Sequence, residues 1–188
     1  MTRIPQVPTS EAGLLTKLIY RYSRRRFGAV PEPVAVLAHH GALLRSYGMA
    51  EAFIERSATK LPAAVRDLAV YRTATKVGCP WCVDFGTMLQ QKAGLDIDRL
   101  KEIDDYRTSK HFTDLDRLVI EYADAMTDQP MTVTDDQVAE LDGRLGHEGL
   151  LELTYMISVE NQRSRFNHAL GITAQGFTSG DACQVPLP

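Results

Sequence analysis

The sequence predicts an all-α protein built as a single domain. Apolar residues recur at spacings of three and four along most of the chain, which is the period of an amphipathic helix. No segment alternates apolar and polar residues between turn residues, as a strand would. The 188 residues include 44% hydrophobic and 24% charged side chains. This composition is typical of a globular protein with a sizeable core, and no long linker divides it.

Charge and hydropathy exclude several classes of function. The net charge of −3 gives no reason to expect nucleic acid, because phosphate binding requires a basic surface. No apolar run approaches the roughly 18 residues of a membrane span. The segment 1–7 holds no signal-peptide apolar region. We therefore expect a cytoplasmic protein with neither nucleic acid nor membrane among its partners.

Helix start and stop signals divide the chain into successive helices. Ser10 is a capping residue type, and Gly48 separates two apolar periodic segments. Thr113 and Thr134 begin capping-box sequences, and Gly146 ends the helix that follows Thr134. The predicted helices span about 10–27, 33–47, 50–58, 62–77, 80–93, 98–103, 113–126, 134–145 and 148–170. Irregular tails are expected at 1–9 and 173–188.

The segment Gly78-Cys79-Pro80-Trp81-Cys82 is where local structure predicts chemistry. Gly78 can close the preceding helix, because glycine adopts the left-handed conformation there. Cys79 then occupies the N-cap of the next helix, Pro80 its first position and Cys82 its third. Unpaired backbone N–H groups and the helix dipole stabilise a thiolate in this turn. Because the thiolate is the nucleophile, we expect a reversible disulfide and a depressed pKa for one thiol.

The other interpretations of the cysteines are a buried structural pair or a zinc site. Free cysteine is often buried as a small hydrophobe. Zinc requires four ligands, or three and a water, and the sequence has no second CxxC or HxxxH. Three cysteines in total do not suggest a disulfide scaffold. Cys183, in the tail, is either an incidental thiol or a partner in exchange.

A weak internal repeat relates the cysteine segment to the last predicted helix. Asp67 lies twelve residues before Cys79, and Glu152 lies twelve residues before Ser164. The segment from Ser164 to Asn167 therefore takes the place of the segment from Cys79 to Cys82. A duplicated helical unit in which one copy kept its thiols would leave this pattern.

The cysteine pair belongs to a longer series of motifs across residues 27–172. In chain order they are Phe27-Gly28-x-Val30-Pro31, Leu37-Ala38-His39-His40, Leu61-Pro62, Arg66-Asp67-Leu68, Gly78-Cys79-x-x-Cys82, Ala93-Gly94-Leu95, Asn161-x-Arg163 and Asn167-x-Ala169-Leu170-Gly171. Together they resemble the carboxymuconolactone decarboxylase-like superfamily, and more specifically its alkylhydroperoxidase D (AhpD)-like branch. The combination is far more specific than a CxxC alone.

This resemblance implies an AhpD-like orthogonal helical bundle and an enzyme that reduces hydroperoxides with a thiol pair. Carried over, Cys82 attacks the peroxide and Cys79 resolves the sulfenic acid. Asp67 stands where the family has the glutamate of its proton relay, and Gly86 stands where it has the histidine. No bound cofactor is implied, and an external thiol or dithiol reductant is expected. The implied partners are a hydroperoxide or disulfide substrate, a redox partner protein or dithiol donor, and further copies of the chain in a homo-oligomer.

Two other function classes remain open. One is a carboxymuconolactone decarboxylase-type enzyme acting on a small acid, a chemistry that needs no pair of thiols. The other is a non-catalytic oligomeric scaffold, which Gly86 favours because glycine cannot transfer a proton. Within the redox class, His39 or His40 could supply that proton from elsewhere in the fold. Asp84 is a poor substitute, because a carboxylate beside Cys82 would raise the pKa of the thiol.

Overall fold

The computed structural model describes residues 2–178, and every regular element in this range is helical. The helices are α1 (Leu14–Phe27), α2 (Glu32–Leu37), α3 (Gly41–Ser57), α4 (Ala63–Val77), α5 (Pro80–Lys92), a 3₁₀ helix (Asp98–Asp105), α6 (Asp114–Thr127) and α7 (Asp135–Ala169). The predicted all-α class is therefore confirmed. None of these helices is long and apolar enough to cross a membrane.

Helix α4 lies at the centre and packs against α5, α6 and α7. Its residues Leu68 and Tyr71 belong to an apolar cluster that includes both cysteines. Its residues Val65 and Ala69 belong to a second cluster, formed mainly with α6 and α7. Because α4 ends at Val77, two residues before the fully buried Cys79, the cysteine pair lies in the core and not on a surface loop.

Most of the predicted helix ends are where the local signals place them. Gly78 closes α4 with a φ of +77°, a backbone conformation that favours glycine. The capping boxes at Thr113 and Thr134 are both formed. Gly146 interrupts α7 with a φ of +69°, so this helix consists of two parts, as predicted. The helix expected around 98–103 is a 3₁₀ helix, and its first N–H, at Asp98, is capped by the side chain of Asp96.

Two predicted boundaries are wrong. Ser10 does not cap α1, because Glu11 and Ala12 form a turn on the carbonyl oxygen of Pro8 and Gly13 becomes the N-cap. Gly48 does not separate two helices. The break lies at residues 38–40 instead, where the His40 side chain accepts the Leu43 N–H at 3.2 Å and starts α3. An added Cβ at Gly48 would meet nothing within 4 Å, so this glycine costs helix propensity only.

Residues 173–178, which we call the strap, are irregular as predicted but are held in place by one side chain. The Asp84 carboxylate accepts all four backbone N–H groups from Gln175 to Thr178, at 2.8–3.0 Å, and also the hydroxyl of Thr178. The strap therefore lies against α5. The rest of the predicted tail, with Cys183, lies outside the described residues.

Candidate functional site

The cysteine pair has the predicted geometry at the start of α5. Cys79 is the N-cap, and its sulfur accepts the backbone N–H of Cys82 at 3.2 Å. Pro80 is the first residue of the helix. The two sulfurs are joined as a disulfide, with their Cα atoms 5.3 Å apart. Both sulfurs are therefore in the first helical turn, where the helix dipole favours a thiolate after reduction.

The two cysteines differ in accessibility. Cys79 is fully buried, whereas 7% of Cys82 remains exposed. A reagent that reaches the pair from solvent therefore meets Cys82 first. The roles that the sequence resemblance implies, in which Cys82 attacks and Cys79 resolves, stay a prediction.

Helix α7 supplies the polar groups that face the pair. The Asn167 amide Nδ2 lies 3.3 Å from Cys82 Sγ and 3.9 Å from Cys79 Sγ. A hydrogen-bond donor at this distance favours the thiolate over the thiol. The neighbouring His168 Nδ1 lies 3.1 Å from the carbonyl oxygen of Gly78 and ties α7 to the end of α4. The weak repeat in the sequence thus joins two segments that contact each other.

An aromatic cluster and the strap cover α5 beside the disulfide. Trp81 stacks on Phe85 with ring centroids 4.6 Å apart, and Phe177 of the strap lies 5.3 Å from Phe85. The indole N–H of Trp81 donates to Gln175 Oε1 at 3.1 Å. Trp81 is therefore a packed core aromatic that also anchors the strap.

Asp84 binds the strap, and among residues 2–178 no hydrogen bond joins its carboxylate to a sulfur. Burial would raise the pKa of Asp84, but the hydrogen bonds from Phe177, Thr178 and Gln175 outweigh it and bring the pKa below its ordinary value. Both carboxylate oxygens are occupied by these N–H donors. Asp84 therefore has a structural role in holding the strap, and its effect on a Cys82 thiolate stays a prediction.

The structure places the two predicted relay positions on facing helices. Asp67, on α4, pairs with Arg66 through a contact of 2.8 Å from Nε to Oδ1. Within residues 2–178 no hydrogen bond joins Asp67 to either sulfur. Gly86 lies one turn after Cys82 on α5, and an added Cβ there would lie 4.0 Å from the Tyr71 ring of α4. The catalytic role of Asp67 remains a prediction.

The two histidines considered as substitutes lie elsewhere. His39 Nε2 is 2.8 Å from the carbonyl oxygen of Pro5, and His40 caps α3. Neither has a hydrogen bond to the cysteine segment in the described part of the chain. Across residues 2–178, no group of three or more His, Cys, Asp or Glu side chains is arranged to hold a metal ion.

Sequence reasoning missed the polar end of a buried stripe on α7. This stripe begins with the core residues Leu153 and Ile157 and continues, at the same helical spacing, with Glu160, Ser164 and Asn167. All five side chains are buried. The signal in the sequence was the heptad-like spacing of 4, 3, 4 and 3 residues. Apolar residues occupy the first two of these positions and polar residues the last three.

Comparison of the sequence with known proteins gives two relatives, and no family model matches. The Escherichia coli (strain K12) protein YnjA is 31% identical over 179 residues, which are 95% of this chain and 96% of YnjA. The alkyl hydroperoxide reductase Rv2159c of Mycobacterium tuberculosis is 31% identical over 94 residues. That second match spans 50% of this chain and 27% of the relative.

Solved structures share the fold over nearly the whole chain. The debrominase Bmp8 has a TM-score of 0.80 at 15% identity, over 94% of both chains. Its cysteine-to-alanine variant in complex with 2,3,4-tribromopyrrole has a TM-score of 0.82 at 14% identity, over 96% of both. The AhpD core protein of Ralstonia eutropha JMP134, which is peroxidase-related, has a TM-score of 0.78 at 14% identity, over 94% of both. With its near-full-length relative, its helical fold and its Cys79–Cys82 pair, the chain belongs to the AhpD-like branch of the carboxymuconolactone decarboxylase-like superfamily.

Proposed function

We propose that the chain is a thiol–disulfide oxidoreductase whose Cys79–Cys82 pair is oxidised by a hydroperoxide and reduced by an external thiol or dithiol. The observation that carries this proposal is the pairing of the two sulfurs in the first turn of α5, beside the Asn167 amide. A helix N-terminus and a nearby N–H donor both lower the pKa of a thiol, and a thiolate is the form that attacks. The peroxidase-related relatives of the same fold support the same chemistry.

The catalytic cycle uses both thiols. The Cys82 thiolate attacks one oxygen of the hydroperoxide, the O–O bond breaks, and an alkoxide leaves and takes up a proton. Cys82 is then a sulfenic acid. The Cys79 thiol attacks this sulfur, an S–S bond forms and water leaves. One hydroperoxide and two thiols thus give one alcohol, one water and the disulfide, which two electrons and two protons from the reductant reopen.

The reducing side of the cycle needs no bound cofactor. A thiol or a dithiol partner protein attacks Cys82, the more accessible sulfur, and forms a mixed disulfide that a second thiol resolves. We place this cycle in the cytoplasm, where reduced thiols are maintained. Asp67 is retained as the proposed carboxylate of the peroxide step, at the position that matches the family glutamate.

Oxidation with diamide is expected to join Cys79 to Cys82 reversibly. The reduced protein is treated with diamide, alkylated, digested and examined by mass spectrometry, and the two cysteines should be found in one cross-linked species. Dithiothreitol before alkylation should restore both as alkylated thiols, which serves as the control. Recovery of free thiols after diamide, or of Cys79 joined to Cys183, would contradict the proposal.

Two candidate oxidants distinguish the proposed redox enzyme from a decarboxylase-type enzyme and from a non-catalytic scaffold. Reduced protein is mixed with cumene hydroperoxide, and free thiols are counted as the alcohol appears. Because debrominases share this fold, 2,3,4-tribromopyrrole is the second oxidant to test. Loss of two thiols for each molecule of product supports a redox enzyme. Thiols that stay reduced with both oxidants and with diamide favour the decarboxylase-type enzyme or the scaffold.

Replacing Asn167 with alanine is expected to raise the pKa of the Cys82 thiol. The wild-type midpoint, measured as the pH dependence of iodoacetamide labelling at Cys82, should lie below the free-cysteine value of about 8.5. The variant loses the donor at 3.3 Å, so its midpoint should rise by roughly 0.5–1 pH unit. Asn161→Ala is the matched control on the same helix, because Asn161 donates to Thr127 and not to a sulfur. Equal midpoints in all three proteins would show that Asn167 does not act on the thiolate.

We also propose a homo-oligomer. Leu14, Leu18 and Tyr22 recur every four residues on α1 and are exposed, as are Met49 and Phe53 on α3. Exposed apolar side chains one turn apart on a helix are typical of protein interfaces. Light scattering coupled to size exclusion should give a mass above the 20.9 kDa of one chain. A monomeric mass at micromolar concentration would contradict this expectation.

A further inference from the structure

The strap contacts the turn of α5 that carries the redox pair. The indole N–H of Trp81, which lies between the two cysteines in sequence, donates to Gln175 Oε1 at 3.1 Å. Phe177 packs edge-on against the same indole, with ring centroids 6.4 Å apart. Asp84, two residues after Cys82, accepts four backbone N–H groups of the strap. With the strap bound, only 7% of Trp81 is exposed, so the strap covers one side of the redox turn.

Gln175 is the residue of the strap with the most hydrogen bonds to the rest of the protein. Besides Trp81, its Oε1 accepts the backbone N–H of Glu32, at the start of α2, at 3.0 Å. Its Nε2 donates to the carbonyl oxygen of Val30 at 2.8 Å. Its backbone N–H donates to Asp84 at 3.0 Å. One side chain therefore joins the strap both to the redox turn and to the segment that begins α2.

The strap is also connected to the sulfurs through the end of α7. Ile172, the residue before the strap, donates its backbone N–H to the carbonyl oxygen of Asn167 at 3.0 Å. The amide of Asn167 lies 3.3 Å from Cys82 Sγ. Ile172 is itself fully buried in the apolar cluster that includes both cysteines. The strap thus leads away from the redox pair at one end and packs back against its turn, through Trp81, at the other.

Reduction of the disulfide changes the space that the pair requires. A disulfide holds its sulfurs at a bonding distance, whereas two thiols lie at van der Waals separation, so the sulfurs move apart on reduction. Cys79 and Asn167 are buried, and a close-packed interior transmits such a change to its neighbours. The strap is the neighbour most easily displaced, because it lies outside the helices and none of its residues is fully buried.

We propose that the strap is a redox-linked clamp, bound tightly to the oxidised protein and loosened in the reduced one, with Gln175 as the positioning residue that joins it to the pair. The clamp rests on the reversible disulfide of the proposed function. On reduction the external dithiol is oxidised, and the two sulfurs take up two electrons and two protons. Loosening uncovers the Trp81 side of the redox turn in the form of the protein that must admit an oxidant.

The coupling acts in both directions, because linkage between two equilibria is reciprocal. If reduction weakens the binding of the strap, a weakened strap must favour reduction. Gln175→Ala removes three side-chain hydrogen bonds of the strap and leaves the charge of the site unchanged. In glutathione redox buffers, we expect the equilibrium constant for reduction of this variant to be at least about fivefold larger than that of the wild type.

Hydrogen exchange tests the clamp directly on the wild-type contacts. Amide exchange of the peptide that contains the strap is followed by mass spectrometry near neutral pH, for diamide-oxidised and phosphine-reduced protein. Both forms carry Cys183→Ser, so that only one pair of thiols reacts. The N–H groups of residues 175–178 should exchange at least about fivefold faster in the reduced form. A variant with Cys79→Ser and Cys82→Ser is the control, and its exchange should not depend on oxidant or reductant.

The redox measurement has its own matched control. Gln162→Ala makes the same change at an exposed position of α7, and its equilibrium constant should equal that of the wild type. The fraction of oxidised pair is read by alkylation and mass spectrometry, in variants that have first been shown to unfold cooperatively. If Gln175→Ala does not fold, the exchange experiment decides the proposal, because it leaves the strap and its contacts unaltered.

The outcomes distinguish the clamp from the redox function. Strap amides that exchange equally in the two forms, or faster in the oxidised one, would overturn the clamp while the disulfide stands. A folded Gln175→Ala protein with the wild-type equilibrium constant would refute the coupling through Gln175. A pair that diamide does not oxidise would refute the proposed function and the clamp with it.

Discussion

Replacing Asp84 with alanine is expected to release the strap and lower the free energy of unfolding by about 3 kcal/mol. Asp84 accepts five hydrogen bonds from residues 175–178, and a hydrogen bond to a charged group contributes about 1.5–3 kcal/mol. The total loss is smaller than five such bonds, because a detached strap returns its N–H groups to water. Urea denaturation measures the stability, and limited proteolysis at residues 173–178 measures the release.

Two variants separate the carboxylate from the rest of the strap. Thr178→Val removes only the hydroxyl bond and should cost about 1 kcal/mol or less. Asp84→Asn keeps one acceptor oxygen without the charge, so its loss should fall between the other two. An Asp84→Ala protein that unfolds at the wild-type urea concentration, with the strap still protected, would show that the aromatic contacts of Phe177 alone hold it.

The pH dependence of the strap has a definite sign. The pKa of Asp84 is lower in the folded protein than its ordinary value of 3.8. The stabilisation is therefore complete above the unfolded-state pKa and is lost as the pH falls through the lower, folded-state value. We expect the strap to remain protected from proteolysis by pepsin at pH 4 and to become accessible only in stronger acid.

Helix ends that depend on neighbouring residues were predictable from the sequence. The glycine after α4 and the capping boxes at Thr113 and Thr134 each involve residues within four positions of one another. Ser10 and Gly48 were misjudged although the deciding contacts are local, because the capping and breaking signals of single residues are weak. The turn on Pro8 takes the place of a serine cap, and α3 tolerates a glycine once its solvent-exposed side requires no side chain.

The candidate site also has one part that neighbouring residues predict and one part that they do not. Cys79 and Cys82 lie in one helical turn, so their placement followed from the proline and glycine beside them. Asn167 contacts Cys82 across 85 positions of sequence, and Asp84 holds a strap more than 90 positions away. Helical periodicity predicts which residues share one face of a helix, but it does not predict which other helix packs against that face. The polar groups that surround the disulfide therefore required the structure.

Replacing Gly86 with histidine is expected to raise the turnover of cumene hydroperoxide by about 10². Position 86 lies one turn after Cys82 on the same face of α5. A Cβ there meets only the Tyr71 ring, at the ordinary contact distance of 4.0 Å, so the substitution starts without a clash. On α4, Tyr71 is one turn from Asp67, whose carboxylate can then orient the new imidazole.

The gain has a specific chemical origin. Attack on the peroxide releases an alkoxide that needs a proton, and positioned proton transfer typically contributes about 10²–10⁴ in rate. Glycine at position 86 supplies no proton to this oxygen, so the wild-type protein should turn over hydroperoxide weakly. Gly86→Ala is the matched control. It adds the Cβ and up to about 1 kcal/mol of helix stability, but no proton donor, and should leave the rate unchanged.

The double variant Gly86→His with Asp67→Asn identifies the part played by the carboxylate. If Asp67 orients the imidazole, this variant should lose most of the gain while its melting temperature stays near that of Gly86→His. Peroxide turnover is followed as kcat/KM in proteins whose folding has first been verified by thermal unfolding. Brisk turnover by the wild type with no gain from histidine would show that another group already protonates the alkoxide. If no variant reacts with peroxide while diamide still forms the disulfide, the pair exchanges electrons with a partner dithiol and hydroperoxide is not its substrate.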